Sequence, residues 1–255
     1  MFNAKLVTKE LVEWIKDYFN DNGKNSKAVI GISGGKDSSI VAALLVKALG
    51  KDRVVGVLMP NGEQSDISYS FELCHLLDIK YTVVNVKPAI DEELKQLKKS
   101  AIELGFNELS DVTLINTPAR IRMTTLYGIS GTIGGRVANT CNLSEDYVGY
   151  STKYGDAAGD FSPLMKLTVS EVKAIGRELG LPEKFIEKTP IDGLCDKTDE
   201  DNLGFTYEVL DKYIRTCICE DNEVQQKIDN MHRINIHKLK PMPHYKPSND
   251  PFNWS

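Results

Sequence analysis

Apolar residues recur with two different periods along the first third of the chain. Leu11, Trp14, Ile15, Tyr18 and Phe19 fall at helical spacing and predict a helix over residues 8–20. Ala28-Val-Ile-Gly-Ile32 is a continuous apolar run stopped by a glycine-rich turn, the pattern of a strand buried on both faces. A helix over 37–49 follows, closed by Gly50. Residues 54–59 predict a second strand, ended by Pro60-Asn-Gly62, then 65–77 a helix and 81–86 a third strand. Strands alternating with helices imply an α/β fold with a parallel sheet.

Beyond the third strand the pattern turns helical. Helices are predicted over 90–104 and 117–129, with a short fourth strand over 136–140. Thr168-Val-Ser-Glu171 fits a capping box for a helix ending at Leu179. Residues 187–201 are acidic and turn-rich and predict a mobile loop; extended to Leu203, the segment reads either as an active-site lid or as a plain surface loop. Two more helices are predicted over 206–215 and 223–235, and four prolines in the last fifteen residues predict an extended C-terminal tail. No stretch has the composition of a linker, so residues 1–255 are expected to form one domain.

Composition narrows the partners. The chain carries 31 basic against 36 acidic residues, a formal charge of −5, which disfavours gripping a nucleic-acid backbone. The longest clean apolar run, Ile40 to Val46, is far too short to span a membrane. Five scattered cysteines, an odd count, predict a reducing, cytoplasmic setting. His75 lies far along the chain from His232, His237 and His244, so no zinc set is expected.

Chemistry concentrates in Ser33-Gly-Gly-Lys-Asp-Ser-Ser39, placed between the first strand and the next helix. Gly34 and Gly35 permit a tight turn that aims N–H groups at one point, and the helix adds its positive end. Ser33, Ser38 and Ser39 add hydroxyls, and Asp37 suits an anion site once a divalent cation joins it. The segment is not a Walker A loop, because the fifth residue after Gly31 is Lys36 rather than glycine.

The segment resembles the S-G-G-x-D-S loop of the ATP pyrophosphatases, which cleave ATP between its α and β phosphates. Further segments are similar to those of ammonia-dependent NAD synthetases: Met59-Pro-Asn-Gly-Glu-Gln-Ser-Asp66, Asn116-Thr-Pro-Ala-Arg-Ile-Arg-Met123 and Gly149-Tyr-Ser-Thr-Lys-Tyr-Gly-Asp156 with Asp160 beyond. Asp199-Glu-Asp-Asn-Leu-Gly204 and His237-Lys238 complete the set. The resemblance implies a Rossmann-like parallel sheet flanked by helices, of the adenine nucleotide alpha hydrolase kind. It implies amidation of nicotinic acid adenine dinucleotide (deamido-NAD) with ATP and ammonia through an acyl-adenylate, releasing AMP and pyrophosphate. The implied ATP site comprises Gly31, Ser33, Gly34, Gly35, Lys36, Asp37, Ser38, Ser39, Gln64, Thr140 and Thr189, with Mg²⁺ held by Asp37 and Glu145. The implied deamido-NAD site comprises Tyr18, Asn116, Arg120, Tyr127, Tyr150, Lys153, Asp156, Asp160, His237 and Lys238. Asp37 and Ser33 are implied in catalysis, and so is Asp156, as a buried carboxylate that takes the proton of ammonium. The resemblance also implies a homodimer with the dinucleotide site at its interface. With 27 residues ahead of the first strand, no glutaminase domain is expected, and free ammonia is the nitrogen source.

Leu58, Val169 and Ile191 stand where the family commonly carries ATP contacts, and Asn139-Thr-Cys-Asn142 departs from its usual strand end. Other readings stay open: a GMP synthetase-like amidation, a tRNA thiolase, or a silent nucleotide-binding protein. Cys217-Ile-Cys219 lacks the spacing a thiolase would need, and the retained acids Asp37, Glu145 and Asp156 are more than a passive binder requires.

Overall fold

The structure is a computed structural model that describes residues 2–188 and 198–245. Its elements in chain order are α1 (Ala4–Gly23), β1 (Lys27–Gly31), α2 (Lys36–Leu49), β2 (Val54–Leu58), α3 (Ile67–Leu76) and β3 (Lys80–Val83). There follow α4 (Lys87–Glu103), α5 (Asp111–Ile133), β4 (Gly135–Val137) and α6 (Leu143–Val148). The last are α7 (Val169–Glu178), α8 (Glu183–Ile186), α9 (Asp199–Leu203), α10 (Tyr207–Thr216) and α11 (Asn222–Asn235).

The four strands form one parallel sheet in the order β3-β2-β1-β4. The central β1 pairs on both sides, so Ala28, Val29 and Ile30 are fully buried, which explains its unbroken apolar run. Alternation divides its side chains between two faces. Ala28 and Ile30 join the main core with α1, α2, α7 and α8, whereas Gly31 faces Leu126 of α5. A second, smaller core of Val148, Leu203, Phe205, Leu210 and Ile228 seats α6, α9, α10 and α11 together. After β3 the chain returns to the opposite side of β1, so the carboxyl ends of β1 and β4 flank a topological switch point, where open α/β sheets place ligands.

Several elements differ from their predicted bounds. α5 begins at Asp111, not at 117, because Ser110 caps it by accepting the Thr113 N–H at 3.3 Å. Pro118 is therefore inside the helix rather than at its start. Glu145 lies in the first turn of α6, a short six-residue helix capped by Asn142. Residues 199–203, predicted as loop, form α9, whose Thr198 and Asp201 make a reciprocal cap. The predicted box at Thr168 and Glu171 is present and opens α7. Residues 189–197, with Thr189, Ile191 and the centre of the expected lid, lie outside the described residues, as does the tail beyond 245.

Candidate active site

The loop after β1 owes its shape to Gly34, which sits at φ +73°, where a Cβ would stand 2.9 Å from Tyr69 Cβ. Ser33 is exposed at the tip; its hydroxyl accepts the Gly35 N–H at 3.2 Å and lies 3.1 Å from Ser38 Oγ. Ser38 accepts the Ser33 N–H at 3.3 Å. Ser39 is fully buried and donates to the Gly35 carbonyl at 2.8 Å, so it braces the loop from within rather than facing a ligand. Gly31 approaches Met59, where a Cβ would be 3.1 Å from the methyl group. The fourteen-residue α2 begins directly behind this loop, and its positive end makes the tip an anion site.

Beside the tip, two carboxylates converge. Lys36 Nζ lies 2.7 Å from Asp37 and 3.2 Å from Glu145, with the lysine almost wholly buried. Asn142 joins the two acids: its amide donates to Asp37 at 3.1 Å and its oxygen accepts the Glu145 N–H at 3.1 Å. The Tyr207 ring lies 5.7 Å from Lys36 Nζ. Burial and the adjacent Asp37 charge push the Glu145 carboxyl well above the usual carboxylate range. Burial opposes the Lys36 charge, but Asp37 and Glu145 outweigh it and hold its pKa high. Burial, with Glu145 and Asp199 nearby, also raises the Tyr207 phenol. The pocket therefore holds more acid than one ammonium balances. Mg²⁺ characteristically takes one or two protein carboxylates and completes its shell with phosphate and water, and this donor pair fits it. Among the described residues no cluster of three or more His, Cys, Asp or Glu suits a metal, so phosphate oxygens would have to share the ligation.

A second group of residues gathers at the end of β4. Asp160 accepts the Val137 N–H at 2.7 Å and lies 3.3 Å from the Tyr127 hydroxyl, while Tyr18 donates to the Asp160 carbonyl at 3.2 Å. Tyr18 stacks on Phe161 at 4.7 Å, so α1 closes this side. Burial, then the Asp160 charge, pushes the Tyr127 phenol up to about 12 and raises Tyr18 as well. Farther along α5, Asn116 accepts from Thr152 at 2.8 Å, and Arg120 reaches the Lys153 carbonyl at 3.4 Å. Lys153 donates to the His237 carbonyl at 3.0 Å, and Lys238 to the Gly149 and Ser151 carbonyls at 2.7 and 3.1 Å. The His237 side chain itself is exposed. Tyr150 is at the surface, 3.5 Å from the Asn202 amide.

Asp156 corrects an expectation: its side chain is exposed, not buried. A tight turn holds it outward, with the Gly155 N–H on Thr152 O at 2.9 Å and the Thr152 N–H on the Asp156 carboxylate at 2.8 Å. Gln64 stands apart, beyond β2, donating to Asp66 at 2.8 Å, and Asp66 pairs with Lys188 at 2.5 Å. Thr140 lies half-buried between β4 and α6. Asn142 and Tyr207 were not singled out from the sequence. Asn142-Leu-Ser-Glu145 has the spacing of a helix start and offered a signal, whereas Tyr207 reaches the pocket only through the packing of α10 on α6 and α7.

Comparison with known proteins places these features in context. The NAD synthase family model matches residues 7–248. An NH3-dependent NAD(+) synthetase of Pyrococcus furiosus is 39% identical over 213 residues, which cover 83% of this chain and 78% of that protein. Among solved structures, the NMN synthetase of Francisella tularensis aligns with a TM-score of 0.85 at 30% identity, covering 97% of this chain and 100% of that one. The NH3-dependent NAD synthetase of Campylobacter jejuni, in complex with nitrate, aligns with a TM-score of 0.76 at 30% identity, with the same coverages of 97% and 100%.

Proposed function

Because the chain belongs to the NAD synthase family, we propose that it amidates deamido-NAD to NAD with ATP and ammonia. The observation that carries this reading is the placement of the Asp37–Glu145 pair beside the glycine loop, at the switch point between β1 and β4. The N–H groups and Ser33 hydroxyl of the loop bind the departing pyrophosphate. Asp37 and Glu145 would hold Mg²⁺, which when bound would supply charge neutralisation on the triphosphate. Asn142 keeps both acids aimed at one point. Asn116, Arg120, Lys153 and Lys238 position the second substrate, and Tyr18 and Tyr127 with Asp160 bound its far side.

The nicotinate carboxylate attacks the α-phosphorus, the α–β bridging bond breaks, and pyrophosphate leaves. Ammonia then attacks the acyl carbon, AMP leaves with the electron pair of the C–O bond, and the excess proton passes to Asp156 or to water. Incubation with ATP, Mg²⁺, deamido-NAD and ammonium should yield NAD, AMP and pyrophosphate in equal amounts. Substrate-dependent release of ADP and phosphate would refute the reading.

We further propose that two copies associate. Ile102, Leu104, Phe106, Val112 and Ile115 are all more than half exposed along α4, α5 and their connection, an apolar stretch larger than scattered surface residues explain. The loop bearing Asp156 packs on α5, where Gly155 approaches Ala119, so a partner there would also cover Asp156. Ile115→Lys should shift the protein toward monomer in sedimentation. The buried or unpaired Cys74, Cys141, Cys217 and Cys219 suit a reducing cytoplasm, and no helix of the described residues is long and apolar enough to cross a membrane. A second reading rests on the full-length likeness to the Francisella enzyme: the acid amidated is the mononucleotide rather than the dinucleotide. Comparing kcat/KM for nicotinic acid mononucleotide and deamido-NAD decides between them.

A further inference from the structure

Lys36 occupies an unusual position for a lysine. It is the first residue of α2, where the positive helix end repels a cation, and it is only 5% exposed. A buried ammonium there requires compensation, and two carboxylates, Asp37 beside it on α2 and Glu145 on α6, supply it at 2.7 and 3.2 Å. The ammonium thus fills the gap between one oxygen of each carboxylate of the pair that would hold a divalent cation. Two cations cannot share that gap.

We propose that Lys36 is a tethered counter-ion for Asp37 and Glu145: it holds the pair together while metal is absent and opposes the entry of a free divalent cation. This rests on the reading of Asp37 and Glu145 as a metal pair. When a nucleotide arrives with its metal, the phosphate oxygens offer the ammonium a new partner one flexible side-chain length from its Cα. The lysine then moves from carboxylate to phosphate as the cation enters. Metal and nucleotide consequently load together, and metal alone loads poorly. The other two groups placed against the pair and its ammonium, Asn142 and Tyr207, are neutral.

The test uses Mn²⁺ as the probe, without nucleotide, on the whole protein. Binding is read by electron paramagnetic resonance of the free ion and by calorimetry. Lys36→Met should bind Mn²⁺ at least about 10-fold more tightly than the parent, since it removes a unit charge within about 3 Å of the site. Lys36→Arg, which keeps the cation, should bind no more tightly than the parent. Adding Glu145→Gln to Lys36→Met should remove the gain. In chelator, Lys36→Met should melt below the parent, and Mg²⁺ should raise its Tm by more than it raises the parent's. Should Lys36→Met fail to fold even with Mg²⁺, Lys36→Gln carries the same expectation, because its amide still donates to either acid. Equal Mn²⁺ affinity for the parent and the neutral variants would overturn the role of Lys36. If the parent nonetheless makes NAD and AMP, the proposed function stands while this inference falls. If the affinities differ as expected but no AMP forms, the reverse holds.

Discussion

Asp211 of α10 is the anchor that fixes α6, and with it Glu145, against α7. One carboxylate oxygen accepts the Ser144 hydroxyl at 2.5 Å and the other accepts the Ser170 N–H at 2.7 Å. Ser144 in turn accepts the Val169 N–H at 3.1 Å, so three elements meet at one buried acid. Asp211→Ala strands the buried Ser144 hydroxyl, at a cost of about 1–3 kcal/mol. It also deprives the α7 N-terminus of a nearby negative charge, worth about 0.3–1 kcal/mol. The half-exposed Ser170 N–H regains water and adds little. A total of roughly 1.3–4 kcal/mol follows, equivalent to a fall in Tm of about 3–15 °C for a chain of this size. Urea unfolding should show this loss with an unchanged m-value. Ser144→Ala combined with Asp211→Ala should cost less than the sum of the two, by about 1 kcal/mol or more. Because Glu145 follows Ser144 directly, the Mg²⁺ concentration for half-maximal AMP formation should also rise. A stability loss under about 1 kcal/mol, or strict additivity of the pair, would refute the anchoring argument.

Glu145→Gln removes one charged ligand from a site that faces a polyphosphate, and pyrophosphate release should fall by about 10²-fold or more; near-normal release would mean that another residue holds the metal. Asp156→Asn should still release pyrophosphate but slow the appearance of NAD, with the defect shrinking as pH rises and free NH₃ becomes abundant. Equal slowing of both half-reactions at every pH would make Asp156 a scaffold residue. Burial pushes the Asp146 carboxyl from 3.8 up to about 6, with the Ser151 hydroxyl pulling it down and the Asp156 charge adding to the rise. A folded-state pKa above the unfolded value means that this contribution is fully present below about 3.8 and lost as pH climbs through about 6. Asp146→Asn cannot titrate and should therefore be the more stable form above pH 6, by up to roughly 3 kcal/mol at neutral pH; parallel stability–pH curves for the two proteins would disprove it.

Local signals were legible wherever one short segment decides its own conformation. The unbroken apolar run from Ala28 to Ile30 announced the central strand, because pairing on both sides leaves no polar face. Thr168 and Glu171 announced the start of α7, because a capping box closes within four residues. The glycine loop was legible for the same reason: Gly34 needs its positive φ whatever surrounds it. The order of the motifs from Ser33 to Lys238 points to the family from the sequence alone. Relations between distant segments were not legible. That Ser39 braces the loop while Ser33 faces outward depends on the direction in which α2 packs. That Asp156 is exposed depends on the turn from Thr152 to Ala158. That Lys36 spans Asp37 and Glu145, residues 109 apart in the chain at its farther contact, depends on β4 returning to the side of β1. Periodicity and motifs carry the short-range terms of the energy. The charge balance of a buried pocket is a long-range term, and only the assembled sheet brings its members within reach.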